Sequence, residues 1–432
     1  MERKVQVEAA IKEKTESYIK MEIKIPYTKS MIESEELIQI GLNAAGLIAS
    51  EEIISSFDTD GSNIKIGNIK FTNKGKVVKE YETPYGSAKI ERYVYQTSKG
   101  GVTYCPLDES ARIIGSATPK FAKMISNKYS RNVATEVQSD FKSNHNRHVS
   151  RGLIQEVSEN VSEIAKLKED VWEYNLPEKK KETPCISLGM DGAMMLMRKD
   201  GYREAMVGSI ALYDNKGERQ HSIYVAGSPE YGKSKFIKNF EKEIENIKNI
   251  YPDATYVGIA DGAHTNWKFL EDKTDTQITD FYHATEYLAE YSKAIFTKNQ
   301  ESKRKEWLED ACHELKHTHG AVDILLKEFE LSLNNKKLSS SKKGIISSVI
   351  TYFTNQKPRM QYAQYRGDNL PIGSGITEAA CKTIVKHRLC SSGMRWKDKG
   401  ASVVLKLRCL DKSNRWELFW DKINQYPLPK LN

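Results

Sequence analysis

The sequence predicts a multidomain chain of the α/β class, built on a mixed sheet that starts antiparallel. Three observations predict it. Between Cys185 and about Phe296, strand-like alternation and helical periodicity follow one another as β-β-β-α-β-α-β-α, the order of a sheet flanked by helices. From about Thr297 to Gln364 a charged stretch without strand pattern reads as a helical insertion, after which "LPIGSGITEAACK" resumes the core. Upstream, a small β region and a group of short helices end at "LPEKKKETP" (Leu176 to Pro184), a charged, Pro-bounded linker. The expected division is 1–115, helix plus β region; 116–175, helical region; 184–296, core; 297–364, insertion; 365–432, last part of the core and a basic C-terminal segment.

Taken in order, residues 1 to about 50 read as amphipathic helix around "SMIESEELIQIGLNAAGLIASEEI". "SNIKIGNIKFTNKGKVVKEYETPYGSAKIERYVYQ" reads as strands, with turns at Asn73-Lys74-Gly75 and Pro84-Tyr85-Gly86. "PKFAKMISNKYS", "VATEVQSDFKSN" and "SRGLIQEVSENVSEIAKLKE" suit three helices in a helix-turn-helix-like arrangement, with Ser150 capping the last. In "CISLGMDGAMMLM", Ile186, Leu188 and Met190 face one way and Ser187, Gly189 and Asp191 the other. "REAMVGSIALYDNKGERQHSIYVAG" is two further strands joined at Asp214-Asn215-Lys216-Gly217. "KSKFIKNFEKEIENIKNI" is a helix with Phe236, Ile237, Phe240, Ile244 and Ile247 on its apolar face. "ATYVGIADGAH" is a buried strand ending at Asp261, and "TQITDFYHATEYLAEYSKAIF" begins as strand and becomes helix.

Composition narrows the function. With 39 % hydrophobic and 29 % charged residues the chain is globular rather than disordered. No apolar run approaches the ~18 residues of a membrane helix, and the charged N-terminus lacks the apolar centre of a secretion signal. Six scattered cysteines without a CxxC pair indicate neither a disulfide framework nor a zinc ribbon, so a cytoplasmic protein is expected. The formal charge of +8 is carried by one segment: Ala379 to Trp416 holds ten Lys/Arg against two Asp. Clustered cations gain affinity for a polyanion by displacing its counterions, so a polyanion is the expected partner.

Beside that segment stands one acid, Glu378, at the start of a helix. A first-turn acid can simply answer the helix dipole. Asp191 and Asp261, ending strands one and four of a sheet in which those strands are natural neighbours, give it another role. Three crowded carboxylates raise one another's pKa unless a hard divalent cation offsets the charge. Two such ions at one site suit phosphodiester chemistry. Gly192-Ala193 and Gly262-Ala263 behind the two aspartates would leave room for metal and phosphate. Glu378, Lys382 and Lys386, spaced i, i+4, i+8, would share a helix face.

With these residues the sequence resembles bacterial insertion-sequence DDE transposases, the Mutator-like group with a ribonuclease H-like catalytic core. The resemblance runs from about Tyr81 to Trp420 and is carried by "MDGAMM", "IADGAHTNW", "DFYHATEYL" and "LPIGSGITEAACKTIVKHRLCSSGMRW"; "SKGGVTYCPLDE", with Cys105 its only cysteine, is similar to a segment upstream of the family's DNA-binding helices. It implies Asp191, Asp261 and Glu378 as catalytic acids and ligands of two Mg²⁺ (or Mn²⁺) ions, and Asp280 and His283 as the family's Asp-x-x-His element. It implies cleavage at element ends followed by strand transfer into target DNA, a homodimer or higher oligomer on DNA, and a bacterial, nucleoid-associated location. Lys382, Lys386, Arg388, Arg395, Trp396 and Lys397 are the candidates for holding DNA, through Arg–phosphate pairing and Trp stacking.

A rival motif lies in the insertion. His313-Glu314-Leu315-Lys316-His317 is a literal HExxH, the pattern of a zinc metalloprotease helix. Against it stand Lys316 on a helix usually apolar and the absence of an evident third ligand at a familiar downstream spacing, although Cys312 and His319 are near. The same acids and cations would also suit a non-transposing ribonuclease H-like nuclease, or a DNA-binding protein with an inactive core.

Overall fold

The computed structural model describes residues 7–169, 171–172, 174, 176, 182–230 and 233–429. Most of the expected linker (177–181) and the first residues of the expected N-terminal helix (1–6) lie outside them. The chain forms two compact units, Met1–Tyr174 with Lys406–Asp411 and Arg415–Asn432, and Asn175–Leu405 with Lys412–Asn414.

The first unit opens with a hairpin, not a helix. Strands β1 (Glu8–Lys14) and β2 (Ile19–Lys24) pair antiparallel with Ile11 opposite Met21. Ile19, Met21 and Ile23 alternate with Lys20, Glu22 and Lys24, a period of two that suits a half-buried strand. Helix α1 (Met31–Ser55) follows, capped by Ser30, whose hydroxyl accepts from the Glu33 N–H. By length and composition α1 could span a membrane, its best 18-residue window having a mean hydropathy of 1.3. That corrects the expectation of no such segment: Gln39, Asn43 and Ser50 interrupt the apolar run in sequence, but the Leu and Ile residues around them keep its average high. One side of α1 packs on the hairpin, with Gly41 against Ile23; Met31, Ile32 and Leu42 are exposed.

Strands β3 (Ile64–Ile66), β4 (Ile69–Glu82), β5 (Ser87–Thr97) and β6 (Gly100–Tyr104) form an antiparallel meander in that order. Pro84-Tyr85-Gly86 lies in the β4–β5 turn, closed by the Thr83 N–H on Gly86 O at 2.9 Å. Asn73-Lys74-Gly75 is instead a bulge inside β4: Gly75 adopts φ +92° and donates its N–H to Asn73 Oδ1 at 2.7 Å. After α2 (Pro106–Ser110) come α3 (Pro119–Arg131), α4 (Ala134–His145) and α5 (Arg151–Lys168), with Phe121 and Phe141 edge to face between α3 and α4. Ser150 caps α5 at 3.0 Å, as the sequence suggests. The exposed residues of α5 include Arg151 at its start and Gln155, Glu156 and Glu163 further along.

In the second unit, β7 (Cys185–Met197), β8 (Gly201–Tyr213), β9 (Arg219–Gly227), α6 (Ser234–Ile250), β10 (Thr255–Ala260), α7 (His264–Leu270), β11 (Thr276–Thr279) and α8 (Phe281–Ile295) follow the expected order. The sheet runs β11-β10-β7-β8-β9, with β8 antiparallel to both neighbours and β7, β10 and β11 parallel. Ile186, Leu188 and Met190 pack with Phe236, Phe240, Ile244 and Ile247 of α6. Both faces of β7 are covered from Cys185 to Met190, as a central strand of a two-sided sheet requires. On the opposite face lie α8 and the helices α9 (Glu301–His317), α10 (Ala321–Leu333), α11 (Ser340–Gln356) and α12 (Tyr362–Gly367), around Tyr291, Phe329 and Phe353.

Past α12, α13 (Gly375–Ala380) continues as a π-helical turn (Cys381–Lys386) and a last turn, α14 (His387–Leu389). Helices α15 (Asp398–Lys412) and α16 (Trp416–Gln425) complete the chain. The fold is therefore a mixed α/β one, with helices on both faces of its larger sheet.

Candidate functional site

The parallel strands bring three aspartates into line. Leu188 of β7 pairs with Gly258 of β10, and Ala260 of β10 with Thr279 of β11. Continued past these pairs, the same registers set Asp191, Asp261 and Asp280 level across three adjacent strands. Asp191 lies within β7, which runs on to Met197 because β8 pairs with it throughout; it does not end the strand as expected. Asp261 directly follows β10, and Asp280 caps α8, its Oδ1 accepting from the Tyr282 N–H at 3.0 Å.

Helix α13 adds Glu378. The buried Thr377 hydroxyl lies 2.7 Å from Ser209 Oγ on β8, over Gly189 of β7, where a Cβ would overlap Thr377. Two small β-strand residues thus let the helix sit against the sheet with Glu378 on the aspartate side. Ser374 Oγ donates to Asp280 Oδ2 at 2.6 Å and stands 3.3 Å from Glu378 Oε1.

Two of the acids, Asp191 and Glu378, are shifted by their neighbours. Burial, then the charge of Asp261, pushes the Asp191 carboxyl above its ordinary range, against the opposing effect of the Gly192 N–H at 2.7 Å. Burial, the charge of Asp280 and a hydrogen bond with it, and the charge of Asp191 push Glu378 up, with Ser374 opposing. Like charges gathered in a partly desolvated place produce such shifts, and a hard cation would relieve them. As they stand the acids are engaged within the protein: Asp191 accepts from Gly192 N and is hydrogen-bonded with the Cys381 thiol, Asp261 accepts from Ala263 N at 3.0 Å and Asn266 Nδ2 at 3.3 Å, and Glu378 shares a hydrogen bond with Asp280 beside Ser374. Among the described residues no three His, Cys, Asp or Glu are arranged to hold a metal ion. All-oxygen donors and mutual repulsion suit Mg²⁺ or Mn²⁺; coordination would require side-chain rotation.

The glycines after the aspartates do not leave open space. A Cβ on Gly192 would overlap the Glu204 carboxylate, itself paired with Lys233 at 2.5 Å. Gly262 has φ +116°, and a Cβ there would lie 3.1 Å from the Tyr352 ring. Tyr352 and Gln356, both from α11, hold this loop: Tyr352 OH donates to Asp261 O at 3.0 Å and Gln356 Nε2 to Gly262 O at 3.1 Å. Gln356 Oε1 in turn accepts from Trp267 Nε1 at 3.0 Å. His283, half-buried, has Nδ1 3.2 Å from Glu286 and its ring beside Tyr287 and Tyr352, which stack 3.8 Å apart.

Of the six candidates for holding DNA, Lys382, Lys386, Arg395 and Lys397 are exposed. Arg388 is not available: it is buried, its guanidinium 5.3 Å above the Trp396 ring. Trp396 is half-buried, and its Nε1 donates to Leu389 O at 2.8 Å while its backbone bridges to Leu196 and Arg198. The π turn also changes the expected shared face. With i→i+5 bonding from Cys381 to Lys386, the helix advances by more residues per turn, and Lys386 no longer follows Glu378 and Lys382 at regular i+4 steps.

The HExxH residues lie on α9, which holds none of the four acids. His313 and His317 rings stack 4.5 Å apart, and Arg366 Nη1 sits 2.7 Å from His317 Nδ1 and 3.2 Å from Nε2. A guanidinium in that position opposes a cation on the ring.

Ser374, Tyr352, Gln356, Glu204 and Cys381 were not identified from sequence. Set against known proteins, the chain matches no family model and no curated protein.

Proposed function

We propose that the chain is a DDE-type DNA transposase with a ribonuclease H-like core, acting on the ends of an insertion sequence. One observation supports this: Asp191, Asp261 and Glu378 are far apart in sequence, yet the charge of Asp261 raises Asp191 and the charge of Asp191 raises Glu378. The order β9-β8-β7-β10-β11, three antiparallel strands continued by two parallel ones, supports the core assignment.

In this reading Asp191, Asp261 and Glu378 hold Mg²⁺ or Mn²⁺. When bound, the ions supply the Lewis acidity that phosphodiester attack by water, and then by a 3′-OH, requires. The chain supplies the rest. Burial and shared negative charge keep Asp191 and Glu378 receptive to a cation. Exposed Lys382, Lys386, Arg395 and Lys397 offer phosphate contacts.

The test is incubation of the full chain with DNA bearing the flanking element ends and Mg²⁺, read for joined products. Joined strands that disappear with Asp191→Asn are expected. Cutting without joining would indicate a plain nuclease; no cutting with any divalent ion would end the proposal.

A further inference from the structure

We propose that Ser374 and Asp280 are positioning residues that set Glu378 for its ligand role; this rests on the metal-binding reading above. Asp280 is 1 % exposed and spends one oxygen on the Tyr282 N–H, at 3.0 Å, and the other on the Ser374 hydroxyl, at 2.6 Å. Ser374 and Asp280 are 94 positions apart, with the helical segment between them, so no local chain geometry sets their distance. Ile372 O accepts from the Phe281 N–H at 2.9 Å, a second tie between the same two segments. Ser374 also starts α13: its carbonyl accepts from the Thr377 and Glu378 N–H groups at 2.8 and 3.1 Å. Fixing Ser374 therefore fixes the turn that carries Glu378.

The side-chain distances separate two roles. A hydroxyl has a single proton. At 2.6 Å against 3.3 Å, that proton belongs to Asp280 and not to Glu378. Asp280 thus pins the Ser374 hydroxyl, while Glu378 rests against it loosely. Turning toward a cation, Glu378 would give up its own hydrogen bond with Asp280 but not the Ser374–Asp280 bond that holds its helix, which makes the Ser374–Asp280 pair an outer partner of the ligand set.

Outer partners of metal ligands typically change metal affinity or activity by about 10–100-fold when removed. The experiment is Mn²⁺ titration of the full chain, followed by electron paramagnetic resonance of the free ion, alongside Mn²⁺-dependent DNA cleavage and a thermal melt. Ser374→Ala is expected to weaken Mn²⁺ uptake and raise the Mn²⁺ needed for cleavage by about tenfold or more, with DNA affinity unchanged and melting lowered by no more than a few degrees. Ser374→Thr, which keeps the hydroxyl, is expected to restore both. Should Ser374→Ala melt early, Asp280→Asn serves instead, since it keeps an acceptor for Tyr282 N–H but can present an amide donor to Ser374; the same loss is expected. Wild-type Mn²⁺ uptake and cleavage in Ser374→Ala, in Asp280→Asn if that variant replaces it, or a folded Ser374→Thr as impaired as Ser374→Ala, overturns the positioning role alone. If the wild type takes up no Mn²⁺ and Asp191→Asn behaves identically, the metal reading falls and this proposal with it.

Discussion

The hydroxyl of Tyr352, on α11, donates to the main-chain oxygen of Asp261 at 3.0 Å. A residue from the helical segment thereby holds the loop that presents a candidate catalytic acid. Gln356, one turn on, holds the next carbonyl. The segment is part of the site's framework and not an appendage to it.

Removing that support should be felt at a distance. Tyr352→Phe deletes one hydrogen bond and is expected to lower stability by about 1 kcal/mol. Gln356→Ala leaves the Trp267 indole N–H and Gly262 carbonyl without this partner, and should cost about 1–3 kcal/mol. Urea unfolding of the two variants checks the order; equal, negligible losses would contradict it.

Gly262 is expected to tolerate no side chain. At φ +116°, Gly262→Ala should cost about 1–3 kcal/mol, while Gly375→Ala, with nothing within 4 Å of the added carbon, should cost less. Thermal melts of both variants decide it.

Asp261→Asn should fold and bind DNA as the wild type does, yet cut none. An Asn amide can still accept from Ala263 N, so the loop geometry survives while the negative charge is lost. Normal cleavage by this variant would remove Asp261 from the acid set.

Stability should fall as pH rises through the raised values of Asp191 and Glu378. Both are shifted upward, so above the ordinary carboxylate range the folded state keeps protons the unfolded state has lost, and folding weakens with rising pH in that window. Asp191→Asn should therefore melt higher than wild type at neutral pH, by about 2–4 °C for each kcal/mol of repulsion removed, the gain shrinking toward acid pH. Mn²⁺ should raise the wild-type melting temperature and leave this variant's unchanged. A wild type more stable than Asp191→Asn at pH 7 without metal would contradict the sign.

The basic residues should divide into two groups. Lys382→Ala and Lys386→Ala are each expected to reduce the salt dependence of DNA binding by about one unit of slope while leaving the melting temperature alone. Arg388→Ala should instead destabilise the fold by about 1–3 kcal/mol, because its side chain is packed under Trp396. Fluorescence anisotropy across a salt series and thermal melts separate them.

The sequence by itself determined the order of elements in the larger sheet, the apolar face of α6, the cap at Ser150 and the place of Asp261 at the end of its strand. These follow from apolar periodicity and local hydrogen bonding, which act over a few residues. Period two was also present at Ile19–Lys24, but a helical pattern downstream obscured it. Only the tertiary structure decided that Asp191, Asp261 and Asp280 stand level, since that depends on strand register. It also decided that Glu204 and Tyr352 fill the space beside Gly192 and Gly262, that Arg388 is buried, and that Ser374 meets Asp280. Such contacts join positions separated by long stretches of chain, and no local pattern specifies them.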